Sequence, residues 1–151
     1  MIDGVKTKQL KVIPDERGRL MECLRADDDL FVKFGQFYMT TTLPRVVKGW
    51  HLHHRQLDNI VCVKGMIKLA LYDGRTGSPT EGQIDEYFIG EHNPMLVRVP
   101  AGVWHGWKCV GSEEAYIVNA PTEVYDYQSP DQDELPADTP KIPYDWGARL
   151  R

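Results

Sequence analysis

The sequence predicts an all-β fold, a barrel or sandwich of short strands, and two observations carry that prediction. Short runs rich in β-branched and aromatic residues follow one another, and turn residues separate them at the spacing typical of such folds. No segment of a dozen residues repeats its apolar positions with the period of a helix.

In chain order the candidate strands are residues 8–13, 19–24, 33–41, 46–53, 58–64, 66–73, 84–89, 95–99, 103–109 and 114–119. Pro14-Asp15-Glu16-Arg17-Gly18 turns the chain between the first two, and Lys64-Gly65 makes a tight connection between 58–64 and 66–73. Asp73-Gly74-Arg75, Asn93-Pro94 and Pro100-Ala101-Gly102 punctuate the rest. Proline presets φ for a turn, and glycine or asparagine adopts the left-handed backbone that many turns require. From Pro121 the pattern changes, with Pro130, Pro136, Pro140 and Pro143 following among acidic residues. Proline lacks an N–H and fixes its own φ, which excludes long helices and central strands there. This segment is expected to lie as a proline-rich C-terminal strap over the barrel, anchored by Tyr125, Tyr127, Tyr144 and Trp146. A core of about residues 8–120 and a strap of about 121–151 would make residues 1–151 a single domain, since this length is close to the commonest domain size.

A net charge of −4 argues against a nucleic-acid-binding surface, which needs a basic face, but leaves room for a locally basic nucleotide pocket. Cys23, Cys62 and Cys109 are too few and too scattered for a disulfide framework and are expected to be reduced. No run is apolar enough to span a bilayer, and Met1-Ile-Asp-Gly-Val-Lys lacks the apolar stretch of a signal peptide. A cytoplasmic protein with no membrane partner is expected.

Alternate side chains of a strand share a face. His51 and His53 therefore point one way and His54 the other, while Asp58, Ile60 and Cys62 share a second face and Val103, His105, Trp107 and Cys109 a third. A closed barrel can direct His51, His53, Asp58 and His105 into one interior, where such a polar cluster is costly without a partner or a task. Two chemistries suit it. Three imidazoles and a carboxylate could hold a divalent transition metal. Alternatively one histidine acts as a base while Asp58 orients its other nitrogen.

His51-x-His53, Asp58 and Gly65 at their spacing resemble the first cupin motif, with aspartate where glutamate is usual, and Pro100-x-Gly102-x-x-His105 resembles the second. The cupin resemblance implies a jelly-roll β-barrel. Cys109 stands where those motifs usually carry asparagine, and their leading glycine is missing.

A narrower resemblance runs from about residue 11 to residue 146. Asp15-Glu16-Arg17-Gly18-Arg19-Leu20-Met21-Glu22, Val46-Val47-Lys48-Gly49-Trp50-His51, the stretch from Tyr72 to Gly82 with Ser78-Pro79-Thr80, and Val99-Pro100-Ala101-Gly102-Val103-Trp104-His105-Gly106-Trp107 occur in order. Together they are similar to the dTDP-4-dehydrorhamnose 3,5-epimerase family of sugar-nucleotide enzymes. The resemblance implies an isomerase acting on a nucleotide-linked, dTDP-type 4-keto-6-deoxy sugar, without a cofactor or metal. His51 would be the base that removes the proton beside the ketone. Arg17, Glu22, Gln36 and Lys48 match family positions that bind the nucleotide diphosphate, and the basic members suit phosphate. His53 and His105 would line the substrate pocket. The family's N-terminal arm reaches a neighbouring subunit, so a homodimer is implied.

The chain departs from the family at three points. Asp58 stands where the family carries a lysine near the enolate oxygen, so another positive group, such as Lys48 or Lys108, must supply that stabilisation. The family's C-terminal segment, whose aspartate pairs with the catalytic histidine, has no recognisable counterpart, which leaves Asp58 to orient His51 or a neighbouring histidine. The family's tyrosine acid aligns near Val118, with Tyr116 and Tyr125 close by, and Tyr125 is the expected acid. Sugar 3,4-ketoisomerases, which use a similar His-x-His pair, are the second reading within this class. Two others remain open: a metal-dependent cupin with His51, His53, Asp58 and His105 as ligands, and a non-catalytic sugar-nucleotide-binding cupin.

Overall fold

The computed structural model describes residues 1–148, and among them there is no helix. Twelve strands follow in order: β1 (Lys6–Gln9), β2 (Val12–Asp15), β3 (Gly18–Met21), β4 (Tyr38–Thr42), β5 (Val47–Leu52), β6 (Asp58–Lys64), β7 (Met66–Tyr72), β8 (Ile84–Gly90), β9 (Met95–Val99), β10 (Trp104–Cys109), β11 (Ala115–Asn119) and β12 (Asp133–Glu134). One five-stranded sheet has the order β1-β9-β6-β11-β4, and a second has the order β12-β5-β10-β7-β8. β2 and β3 form a separate two-stranded hairpin. Every pairing is antiparallel.

The central strands lie where their residue patterns put them, and the N-terminal third differs in three places, of which the simplest is that the expected strand 19–24 ends at Met21. The expected strand 8–13 is split, because the chain leaves its pairing with β9 at Gln9 and turns to build the β2–β3 hairpin. Of the expected strand 33–41 only its last residues pair. Before Tyr38 the chain instead lies against the C-terminal segment, with the N–H groups of Gly35 and Gln36 donating to the Pro121 carbonyl. A side chain at position 35 would run into the backbone of Glu123 at 2.4 Å, so this approach requires glycine.

The core fills the space between the two large sheets. Ile60, Cys62, Val97, Val99 and Ile117 from the first meet Ile67, Leu69, Leu71, Trp107 and Cys109 from the second. Alternation along β7 sends Ala70 to the opposite face, where it packs with Trp50, Ile142 and Trp146. The C-terminal segment thus covers the outer face of the second sheet. Leu135 and Trp50 exchange backbone hydrogen bonds of 2.8 and 3.0 Å, which seats β12 on the edge of β5. Trp50 has its ring against Trp146 at 4.9 Å and Tyr144 at 5.5 Å. Tyr125 and Tyr127, expected as anchors, instead pack on each other and stay exposed, Tyr127 at 89%.

One irregularity positions the functional residues. In the β5–β10 pairing His105 lies opposite His51, and then the register shifts so that Gly106 lies opposite Gly49. The two glycines let the strands approach closely, since a Cβ on Gly106 would meet the Gly49 Cα and the Lys48 carbonyl oxygen at 2.9 Å each. Both obstacles are backbone, so relief requires the strands to separate. Gly106→Ala is therefore expected to cost about 1–3 kcal/mol of stability, as overpacking does. Urea denaturation of the purified variant checks this; an unchanged midpoint would contradict the close-approach reading.

Candidate active site

A cavity of about 180 Å³ opens between the two large sheets. Tyr38, Thr40, Asp58 and Asn119 line it from the first sheet, and Lys48, His51, His105 and Trp107 from the second. His53, just beyond β5, and Gln132, just before β12, complete the lining.

Asp58 is the best-satisfied group in this cavity. Its side chain is 2% exposed, and each carboxylate oxygen has two partners. Oδ1 accepts from Gln56 Nε2 at 2.7 Å and from Asn119 Nδ2 at 2.9 Å. Oδ2 lies 3.0 Å from His105 Nε2 and 3.3 Å from His53 Nε2. The other nitrogen of each imidazole also faces an oxygen. His53 Nδ1 lies 2.6 Å from the Asp131 carbonyl, and His105 Nδ1 lies 3.2 Å from the Val103 carbonyl.

For His53, an acceptor at both nitrogens favours the doubly protonated form. Burial by itself would lower the His53 pKa, but its hydrogen bond to Asp58, the Asp58 charge and the Asp131 carbonyl outweigh burial and raise it. Burial likewise opposes the Asp58 charge, yet the hydrogen bonds from His105 and then His53 hold its pKa below the usual carboxylate range.

His51 is in a contrasting setting. Burial pushes its pKa down, His105 adds to that, and Glu134 opposes only in part. Its Nδ1 is buried without a hydrogen-bond partner, 3.6 Å from Glu134 Oε1. The register of β12 on β5 places Glu134 opposite His51, and Gln132 holds the Glu134 carboxylate from the side. One cavity therefore contains a histidine biased toward the neutral base and another biased toward the cation.

Of the residues singled out in the sequence, His51, His53, His105, Asp58 and Lys48 come together here. Lys48 Nζ donates to Thr40 Oγ1 at 2.9 Å and to the Thr41 carbonyl at 2.6 Å. Asp58 lies against His53 and His105, whereas the carboxylate beside His51 is that of Glu134. Tyr125 lines a neighbouring hollow of about 250 Å³ with His53, Gln56 and Asp131, and its N–H donates to Gln36 Oε1 at 3.0 Å. Arg17 sits exposed in the β2–β3 turn beside Asp15, and Glu22 pairs with Arg25, both outside the cavity lining. Lys108 points to the outer face of its sheet and donates to the Trp146 carbonyl. His53, Asp58 and His105 present ligand atoms within 4.8 Å of one another, a group that His51 does not join.

Sequence reasoning missed Tyr38, Gln56, Asn119, Gln132 and Glu134. Alternation along residues 33–41 gives Tyr38 a face, but nothing local names the strand it faces. Glu134 is one acid among many in its segment, and only its pairing with β5 marks it.

The coupled His53–Asp58 pair makes stability depend on pH. The raised His53 value contributes stability that is complete below the unfolded value of about 6.5 and is lost as pH rises through the higher folded value. The lowered Asp58 value contributes stability that is present above about 3.9 and is lost as pH falls through the folded value. Thermal midpoints of wild type and His53→Gln are thus expected to differ most near pH 5–6 and to converge as pH rises through the raised folded value of His53. A gap independent of pH would contradict this coupling. Asp58→Asn, which leaves two imidazoles facing an amide, is expected to cost about 3–5 kcal/mol at pH 6.

A model of the dTDP-4-dehydrorhamnose 3,5-epimerase family matches residues 1–151. The chain is 42% identical over 151 residues to a probable low-salt glycan biosynthesis epimerase of Haloferax volcanii, covering 99% of this chain and 97% of that one. It is 38% identical over 151 residues to the spore coat polysaccharide biosynthesis protein SpsL of Bacillus subtilis, covering both chains fully. The crystal structure of a dTDP sugar isomerase from Desulfovibrio desulfuricans superposes with a TM-score of 0.93 at 34% identity, covering 99% of this chain and 95% of that one. Family match, relatives and fold agree: this chain belongs to the dTDP-4-dehydrorhamnose 3,5-epimerase family, on a cupin-type jelly roll.

Proposed function

We propose that the protein epimerises a nucleotide-linked, dTDP-type 4-keto-6-deoxy sugar by removing and returning a proton on carbon next to the ketone. The observation that carries this reading is the division of roles in the cavity, with His51 held toward neutrality beside a carboxylate-bound, charge-prone His53. Environments that push similar groups apart mark acid and base assignments. The ketone acidifies the adjacent C–H bonds, and a neutral imidazole is a competent base for them. Glu134 beside Nδ1 favours the tautomer that leaves Nε2 free to accept the proton.

Asp58 at the family's lysine position is compatible with this chemistry. Its four donors neutralise and saturate it, and Lys48 adds positive charge to the same cavity, where an enolate oxygen needs it. The name of the Desulfovibrio relative supports the dTDP-sugar ligand. Arg17, Glu22 and Gln36 serve the nucleotide in this reading, with Arg17 and Glu22 carried by the β2–β3 hairpin into the cavity of a second copy. Exposed Ile13 and Leu20 on that hairpin, and exposed Phe34, Phe37 and Met39 beside or on edge strand β4, support a homodimer. Three unpaired thiols support a reducing, cytoplasmic setting.

Incubation with dTDP-4-keto-6-deoxyglucose in heavy water tests the function. The wild-type protein is expected to incorporate deuterium beside the ketone and invert at least one centre, and His51→Asn to lose about 10²–10⁴-fold in that rate. A protein that binds the sugar nucleotide and exchanges nothing is a binder, not an isomerase.

The clustering of His53, Asp58 and His105 favours a second reading, a divalent-metal site. Elemental analysis of tag-free protein separates the two. The acid–base reading expects substoichiometric metal, whereas one equivalent that is lost in His53→Ala would establish the metal site.

A further inference from the structure

Proton abstraction from one face of a sugar carbon inverts it only if a second group returns a proton from the other face. His51 comes from the second sheet, so the returning group belongs on the first, across the cavity. The family's tyrosine aligns near Val118, but here Val118 packs outward with Leu10, Leu30, Val61 and Leu96. The next residue, Asn119, faces inward and carries no acidic proton. Directly opposite Asn119 in the β11–β4 pairing is Tyr38. Its hydroxyl accepts a hydrogen bond from Asn119 Nδ2 at 3.0 Å, and it is the one phenol in the lining of the His51 cavity among the described residues.

We propose that Tyr38 is the acid that returns the proton, placed across the cavity from His51 by the pairing of β4 with β11. The assignment rests on the isomerase reading above. Asn119 bridges Tyr38 to Asp58, since its Nδ2 also donates to Asp58 Oδ1 at 2.9 Å. The amide thereby holds the phenol oxygen by a lone pair and leaves its O–H free to point at a ligand. Burial and then the Asp58 charge push the Tyr38 pKa up, which keeps the phenol protonated until an enolate forms.

The step balances. The C–H bond breaks as His51 Nε2 gains the proton, its electron pair becomes the enolate C=C, and the carbonyl π pair moves to oxygen. The Tyr38 O–H bond then breaks as a new C–H bond forms on the opposite face, and the oxygen pair restores the ketone. The tyrosinate recovers a proton from water, and His51 releases its own to water.

The test compares wild type, Tyr38→Phe and Tyr125→Phe with dTDP-4-keto-6-deoxyglucose in heavy water, following deuterium entry and inversion separately. In Tyr38→Phe the base is intact, so deuterium entry with retention is expected to persist while inversion falls about 10²–10⁴-fold. A purely structural role for the hydroxyl would lower both together, and that outcome, at a thermal midpoint equal to wild type, overturns the assignment. Inversion at the wild-type rate in Tyr38→Phe, or its loss in Tyr125→Phe instead, also overturns it. Wild-type protein that exchanges nothing removes the isomerase reading itself, and the role of Tyr38 with it.

Discussion

The cavity between the two large sheets depends on one buried carboxylate. Asp58, at the start of β6, takes donors from Gln56, Asn119, His53 and His105, so a single side chain ties the first sheet to both histidines that approach from the second. A carboxylate this buried is unfavourable unless its charge is compensated and its lone pairs are filled. Both conditions are met, and meeting them orients two imidazoles and one amide at the cavity wall. The polar cluster is therefore a structural fastening and a chemical device at once.

That fastening also gives His51 and His53 different electrostatic settings. His53 and His105 face Asp58, while His51, two residues before His53 on the same chain face, looks past it toward Glu134. Proximity to Asp58 favours a proton on His53, and burial without such a partner disfavours one on His51. The pairing of β10 with β5 places His105 opposite His51, where it adds to the lowering of the His51 pKa.

The C-terminal segment acts from outside the barrel. Trp50, on the face of β5 opposite His51, is covered by Tyr144 and Trp146, and the same segment supplies Glu134 through its pairing with β5. Apolar packing on the outer face of the sheet consequently sets the position of a carboxylate at its inner edge.

The strands of the barrel were legible in the sequence because alternation and turn chemistry are local, and β6 and β9 lie at the residues their patterns predict. The same alternation placed His51 and His53 on one face, and the ordered motifs around Lys48, His51 and His105 pointed to the family. What a carboxylate touches is not local. The spacing leaves Asp58 open to His51 or to a neighbouring histidine, and Glu134 cannot be distinguished from its acidic neighbours, because strand register across two sheets decides both. Tyr38 was missed for the same reason: its place in the cavity comes from β4 lying beside β11, eighty-one residues away in the chain. The sequence by itself determined the strands and the family, and it singled out His51 as the proposed base. Only the tertiary structure decided which acid, amide and phenol surround that base, because hydrogen bonds and electrostatic fields act through space between residues that the chain order does not relate.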